Sequence, residues 1–379
     1  MKIAILSPWA VSYNAVGGTE RFVQDLAEVF VKLGNEVDVY MLSGINHITN
    51  DVNYINIDLF NTGEIVDEFV LQEKCGDFST EEAFDKIASQ LEEKINVEKY
   101  DCIHFNSQLF LKAWKNKKRI FTIHTNPFEY KFAFGEAAYE MMLKVMKDEA
   151  QNQNTILTAP SKHYSNLYSE LTDNEIVFIP HAIWKQRLIS NTAKSTIVQN
   201  YNMGDENKIR ILLPSRVEPV QKQPMVFIKA LENIDEELKK NIQIICTGLD
   251  KQYIQYAEDI QDFCNNNNIN IRFMRFDTMS DAYAVADIVA LPSKSESFGY
   301  SALEALSMGV PTIMNNLPTF NEIVEGYNGN VYIFEESKEL EKIISSVLKN
   351  KIERIIPDEK WQKKYDLIEW GEKYLSIIP

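Results

Sequence analysis

Positive charge is scarce in this chain: its 379 residues carry 39 Lys and Arg against 55 Asp and Glu, a formal net charge of −16. A surface of that sign repels phosphate backbones, which argues against broad nucleic-acid binding, so an anionic ligand has to meet locally placed cations. Cysteine is scarce too. Cys75, Cys102, Cys246 and Cys264 stand far apart, form no C-x-x-C pair and read as small core residues of a reducing compartment. No apolar run approaches the roughly 20 residues that span a bilayer. The opening MKIAILSPWA enters a strand directly after Met1, without the basic and apolar leader of a secretory signal, so the expected location is the cytoplasm. No H-E-x-x-H, paired-Cys or Asp-x-Asp spacing occurs, and nothing in the sequence calls for a metal.

What is present is a large apolar complement, 45% hydrophobic residues, enough for two domains with separate cores. Residues 2–7 (KIAILS) read as a buried strand, and a loop of small and polar residues then ends in Gly17-Gly18. From 20 to 33 the residues Phe22, Val23, Leu26, Ala27, Val29, Phe30 and Leu33 recur at helical spacing, Gly34 stops the helix, and 37–42 forms the next strand. Strand, helix, strand implies a right-handed parallel crossover. Short strands follow at 102–105, 120–124, 156–159 and 176–179. The pattern restarts after a polar linker at 191–207, with strands at 209–214, 242–247, 271–274, 288–291 and 312–315. Residues 361–378 read as one amphipathic terminal helix. The expected organisation is two Rossmann-like doubly wound α/β domains, 1–190 and 191–355, with 356–379 crossing back to the first.

Ligands of open α/β sheets bind beyond the carboxyl ends of the strands, which directs attention to a few residues. Gly17 and Gly18 lie where a loop enters a helix, so their amides can face a phosphate or simply form a tight turn. Arg216 and Lys222, after ILLPS, offer a guanidinium fork and a point charge for a diphosphate, or are solvated surface cations. In PSKSESFGYSALEALSMGVPTI the amides of Phe298, Gly299, Tyr300 and Ser301 form an anion-facing nest. Glu296 and Glu304 flank it and can accept hydroxyl hydrogen bonds, while Ser301-Ala-Leu-Glu304 also reads as a capping box. His124 ends RIFTIH, where an imidazole can meet a sugar hydroxyl; His104 and His181 read as structural. KAWKNKKR, 112–119, reads as a solvated turn that could alternatively touch an anionic membrane.

In order and location, Gly17-Gly18-x-Glu20, His124, Ser215-Arg216 to Lys222, and Ser295-Glu296-Ser297-Phe298-Gly299 through Leu303-Glu304-Ala305 to Gly309-x-Pro311 resemble family 4 glycosyltransferases. That resemblance implies the GT-B arrangement, two Rossmann-like domains facing each other across a cleft, and transfer with retention from a nucleotide sugar. It implies a UDP-sugar as the first donor to test, no metal and no other cofactor. It assigns Arg216 and Lys222 to the diphosphate, Glu296 to the donor sugar, Glu304 to the ribose, Gly18 to a backbone contact and His124 to the neighbourhood of the transferred sugar. The nest amides would hold sugar and phosphate, and the base would rest near Met274 and Arg275. Three positions depart from the pattern: Gln223-Pro224 where glycine commonly follows the lysine, Arg275 where glycine is common, and His181-Ala182 where Asn-Gly is common. The acceptor, a saccharide, lipid-linked or protein hydroxyl, would meet residues 124–149, where Phe128, Tyr130, Phe132, Phe134, Glu136 and Tyr139 either select it or only pack a helix. Two other readings stay open here, a nucleotide-sugar epimerase of similar layout and a non-catalytic partner subunit of a transferase.

Overall fold

The computed structural model describes residues 1–8, 17–42, 44–60, 68–124, 127–169, 175–350 and 352–378, without the side chains of 68–70, 127–129 and 133. The chain divides into two compact units, Met1–Ala182 with Tyr365–Pro379, and Ile183–Lys364.

The first unit begins with β1 (Lys2–Ser7), α1 (Gly18–Lys32) and β2 (Glu36–Met41), then a short antiparallel pair, β3 (His47–Thr49) and β4 (Val52–Asn56). α2 (Glu68–Cys75), α3 (Glu81–Lys94), β5 (Cys102–Phe105), β6 (Arg119–Thr122), α4 (Pro127–Phe134), α5 (Glu136–Ala150), β7 (Thr155–Ala159), α6 (Lys162–Leu167) and β8 (Val177–Phe178) follow. The strand order is β3-β4-β2-β1-β5-β6-β7-β8. The central strands are buried along their whole length, as a parallel sheet covered on both faces requires. Between α3 and β5, Asn96 caps a single 3-10 turn by accepting from the Glu98 amide at 3.0 Å.

The second unit holds α7 (Lys194–Asn200), β9 (Ile209–Arg216), α8 (Pro224–Ala230), α9 (Glu236–Lys240), β10 (Ile242–Gly248), α10 (Ile254–Asn266), β11 (Ile271–Phe273) and α11 (Met279–Val285). It continues with β12 (Ile288–Leu291), α12 (Tyr300–Ser307), β13 (Thr312–Asn315), α13 (Pro318–Val324), β14 (Val331–Phe334), α14 (Ser337–Lys349) and α15 (Glu359–Lys363). Its sheet is parallel throughout, in the order β11-β10-β9-β12-β13-β14. The chain then returns to the first unit as α16 (Leu367–Ser376), which packs on α1.

Three expectations change. The polar segment 191–207 contains α7, whose Ile197 and Val198 are buried and which belongs to the second unit. Two apolar residues on one face suffice for a short helix that packs on α11. The terminal stretch is two helices, because the Asp366 carboxylate accepts from the amides of Ile368 and Glu369 at 2.9 and 3.0 Å and starts a new helix. Trp361 stays with the second unit, its indole donating to the Ile323 carbonyl at 2.8 Å, while Tyr374 is buried in the first. The basic run 112–119 is only partly solvated: Lys112 binds Glu81 and Asp85 at 2.8 and 2.6 Å, and Arg119 is fully buried against Glu149 at 2.5 Å. Among the described residues no helix is long and apolar enough to cross a membrane.

Candidate active site

In the second unit the chain leaves β9 toward β10 on one side and returns with β12 on the other, so the loops after β9 and β12 part at the carboxyl edge of the sheet. Such a switch point opens a crevice between adjacent loops. Both groups of polar residues singled out in the sequence sit there. The Lys222 ammonium donates to both carboxylate oxygens of Glu296, at 2.8 and 2.7 Å, with the two side chains only 15% and 11% exposed. Arg216, the last residue of β9, is exposed, and its guanidinium reaches the Gln221 side-chain oxygen at 3.5 Å. Gln221 ties the two loops together: its side-chain amide donates to the Ser295 carbonyl at 3.2 Å, and its carbonyl accepts from Lys294 at 2.7 Å.

The backbone beneath Arg216 tolerates little change. β9 and β10 slip in register at Gly248, where an added Cβ would lie 2.6 Å from both the Arg216 Cα and the Ser215 carbonyl oxygen. Gln223 ends the loop with φ +46°, a left-handed conformation that costs an L-residue about 1–2 kcal/mol. This is the position where the resemblance calls for glycine. Gln223→Gly is expected to relieve that strain, offset in part by glycine's larger unfolded-state entropy, and to raise the melting temperature by about 2–4 °C.

α12 starts at Tyr300 after Gly299, whose φ of +104° and contact with the Phe320 ring, 2.6 Å from an added Cβ, leave room for glycine alone. The Gly299 carbonyl accepts from Ala302 and Leu303 at 3.0 and 3.1 Å, so the earlier amides of the turn point out of the helix along its positive end. Phe298 is buried beside them. Glu304 does not close a capping box. Gly299 is the N-cap, and the Glu304 carboxylate accepts from the buried Tyr283 hydroxyl at 2.8 Å. Met274, partly buried, and Arg275, exposed, follow β11, three strand spacings or roughly 14 Å from β12.

In the first unit the corresponding switch lies between β1 and β5. Gly17 caps α1 and Gly18 is its first residue; the Glu20 carboxylate folds over Gly17 into the space a side chain would fill. Residues 9–16 and 125–126, which the sequence assigns to loops, lie outside the described residues, as does the side chain of Phe128. Nearby in sequence, Tyr130 is buried against Phe134 and Phe132 is 73% exposed.

His124 follows β6. Its Nε2 is 3.1 Å from the Asn106 side-chain oxygen, and the Asn106 amide nitrogen donates to the Leu6 carbonyl at 3.2 Å. That second bond fixes the orientation of the amide, so Nε2 carries the proton and Nδ1 is left as an acceptor. The ring joins His181 and, through Phe22, His104 in one aromatic cluster. Burial pushes His104 and His124 down to about 3 and holds His181 well below its ordinary value. The folded protein therefore keeps these rings neutral, while the unfolded chain takes up their protons below about pH 6.5. Stability is expected to be intact above that pH and to fall as the pH drops toward 3, by roughly 1.4 kcal/mol per pH unit for each histidine. Urea midpoints between pH 7 and pH 4.5 measure this, and His104→Gln should remove one histidine's share of the slope.

Sequence reasoning missed Glu218, Gln221, Gly248, Asn106 and Tyr283. A lone loop glutamate or asparagine has no signature, although Gly248 at a strand end was a visible signal. The described part of the chain thus presents cations, carboxylates and a helix start at one switch point, and a neutral imidazole at the other.

The family described as Glycosyltransferase Family 4 matches residues 16–187, and that described as Glycosyl transferases group 1 matches residues 199–364. An uncharacterized glycosyltransferase of Methanocaldococcus jannaschii is 24% identical over 368 residues, spanning 89% of this chain and 86% of its own. HepE of Anabaena, solved with UDP and glucose, superposes with a TM-score of 0.73 at 18% identity, over 99% of this chain and 98% of its own. Sucrose-phosphate synthase of Thermosynechococcus elongatus gives 0.72 at 18%, over 100% and 94%. Two α/β units, one sheet parallel throughout and the other parallel except for β3, are the GT-B fold. With the two family matches tiling both units, the chain belongs to the family 4, group 1 glycosyltransferases, enzymes that transfer a sugar from a nucleotide-sugar donor.

Proposed function

We propose that the carboxyl edge of the Ile183–Lys364 sheet is the donor site of a retaining, metal-independent transferase, with a UDP-sugar as its first donor to test. The observation that carries this reading is the Lys222–Glu296 pair at the switch point, beside Arg216 and the start of α12. A diphosphate competes with Glu296 for Lys222, and sugar hydroxyls then take over the carboxylate. In this assignment Arg216, Lys222 and the amides of Phe298, Gly299, Tyr300 and Ser301 hold the diphosphate and sugar. Glu304 accepts from the ribose, and Met274 and Arg275 flank the base. Gly17 and Gly18 add amides from the start of α1, and His124 accepts a sugar hydroxyl at Nδ1.

The chemistry follows from where charge develops. As the bond from the anomeric carbon to the phosphate oxygen breaks, the leaving diphosphate gains charge, which preorganised cations and amides stabilise. The acceptor oxygen bonds to the anomeric carbon from the face that the phosphate leaves, and its proton passes to the departing phosphate oxygen. We place the reaction in the cytoplasm, where four buried free thiols stay reduced. The acceptor is a saccharide, lipid-linked or protein hydroxyl, and a peripheral membrane contact would serve the second of these.

The test is a panel of UDP-, GDP- and ADP-sugars in EDTA, read by thermal shift and by release of nucleoside diphosphate. One donor should stabilise the chain and be slowly hydrolysed, with the freed sugar first appearing in the donor's anomeric configuration. Conversion to an isomeric nucleotide sugar without free nucleotide would mean an epimerase instead.

A further inference from the structure

Glu218 is a carboxylate in a loop, two residues beyond β9, yet it is only 3% exposed. Among the described residues no side-chain cation pairs with it; backbone amides do. One oxygen accepts from Val220 at 2.9 Å, both accept from Gln221 at 2.9 and 3.1 Å, and the other also accepts from the Lys222 amide. Its own carbonyl accepts from Gln223 at 3.0 Å, and the preceding Val217 amide is pinned to Gly248 at 2.8 Å. Three successive amides converging on one buried carboxylate curl the segment between Arg216 and Lys222 into a single shape. Charge-assisted bonds of this kind are about twice as strong as neutral ones.

The two cations assigned to the diphosphate stand at the two ends of this curl: the Arg216 guanidinium reaches Gln221 and the Lys222 ammonium Glu296, so neither charged group is held by Glu218 itself. We infer that Glu218 is a positioning residue, whose buried carboxylate sets the spacing of Arg216 and Lys222 through the backbone between them and so tunes the site to two linked phosphates. The inference rests on the donor-site reading above. A purely scaffolding glutamate would lower the stability of the unit and weaken every ligand alike. A residue that sets cation spacing has a narrower effect, on the diphosphate and little on the nucleoside end.

The experiment compares the full-length wild type with Glu218→Gln, which keeps the shape but turns an N–H group toward the amides. Calorimetry measures UDP, GDP and ADP, each against its monophosphate. For the nucleotide that wild type prefers, E218Q is expected to weaken the diphosphate about tenfold or more and to change the monophosphate less than about twofold. Should E218Q not fold, E218D, which keeps the charge but withdraws it by one methylene, takes its place with the same ligands. Full retention of the diphosphate preference in the variant overturns this inference alone. Equal weakening of both ligands also overturns it, in favour of a scaffold role. A wild type without any diphosphate preference overturns the donor-site reading and this inference together.

Discussion

Arg216→Ala and Lys222→Ala should each lower turnover of the donor by well over tenfold, on the order of 10²-fold, the range seen when one preorganised donor is taken from a developing anion. The loss should fall on kcat as well as on kcat/KM, because charge on the leaving phosphate is greatest in the transition state. The two variants differ in one respect. Arg216 is exposed and, among the described residues, its guanidinium bonds only Gln221, at 3.5 Å, so its removal should leave the melting temperature nearly unchanged. Removing Lys222 strands Glu296, whose side chain is 11% exposed, and should also destabilise the fold. The double variant Lys222→Ala with Glu296→Ala should recover part of that stability but none of the activity. Near-wild-type rates in either single variant would remove that residue from catalysis.

Glu149→Ala should destabilise the Met1–Ala182 unit by about 3–5 kcal/mol, a fall in melting temperature of roughly 6–20 °C. Arg119 and Glu149 are 0% and 1% exposed and 2.5 Å apart, and Arg119 also donates to the carbonyls of Leu111 and Ala113 at 3.2 and 2.6 Å. Burial pushes the Glu149 carboxyl up against the opposing pull of Arg119, and pushes the guanidinium down. Losing one partner leaves a buried charge uncompensated, the costly case. Replacing both by apolar residues of similar volume, Arg119→Met with Glu149→Leu, should cost less than either single change. Thermal melts of the full chain decide it, and an E149A protein as stable as wild type would show that the pair does not brace this unit.

The strands that the sequence made legible are those buried on both faces. KIAILS, CIHF, IVAL and TIMN are short apolar runs, and each became a strand with the same bounds. The pair HIT and VNYIN escaped notice because only Val52 and Tyr54 of it are buried, too few to make an apolar run. β14 escaped for a similar reason, since three of its four residues are only partly buried. Of the site, charged residues directly after strands could be found from the rule that ligands meet the carboxyl edge. The partners that orient them could not: the Tyr283 hydroxyl on Glu304 and the amides on Glu218 depend on tertiary proximity that no local spacing encodes. The capping-box reading of Glu304 failed because Gly299, in its left-handed conformation, started α12 two residues before Ser301. The basic run misled for a different reason: Arg119 opens β6 between β5 and β7, and its guanidinium is held inside by Glu149 and the carbonyls of Leu111 and Ala113.

A crystal structure of the full chain with the nucleoside diphosphate that stabilises it most tests the central claim directly. The diphosphate should lie at the switch point between β9 and β12, its oxygens about 3 Å from the Arg216 guanidinium, the Lys222 ammonium and an amide at the start of α12, with Lys222 drawn off Glu296. A nucleotide bound elsewhere, with the Lys222–Glu296 pair intact, would contradict the account.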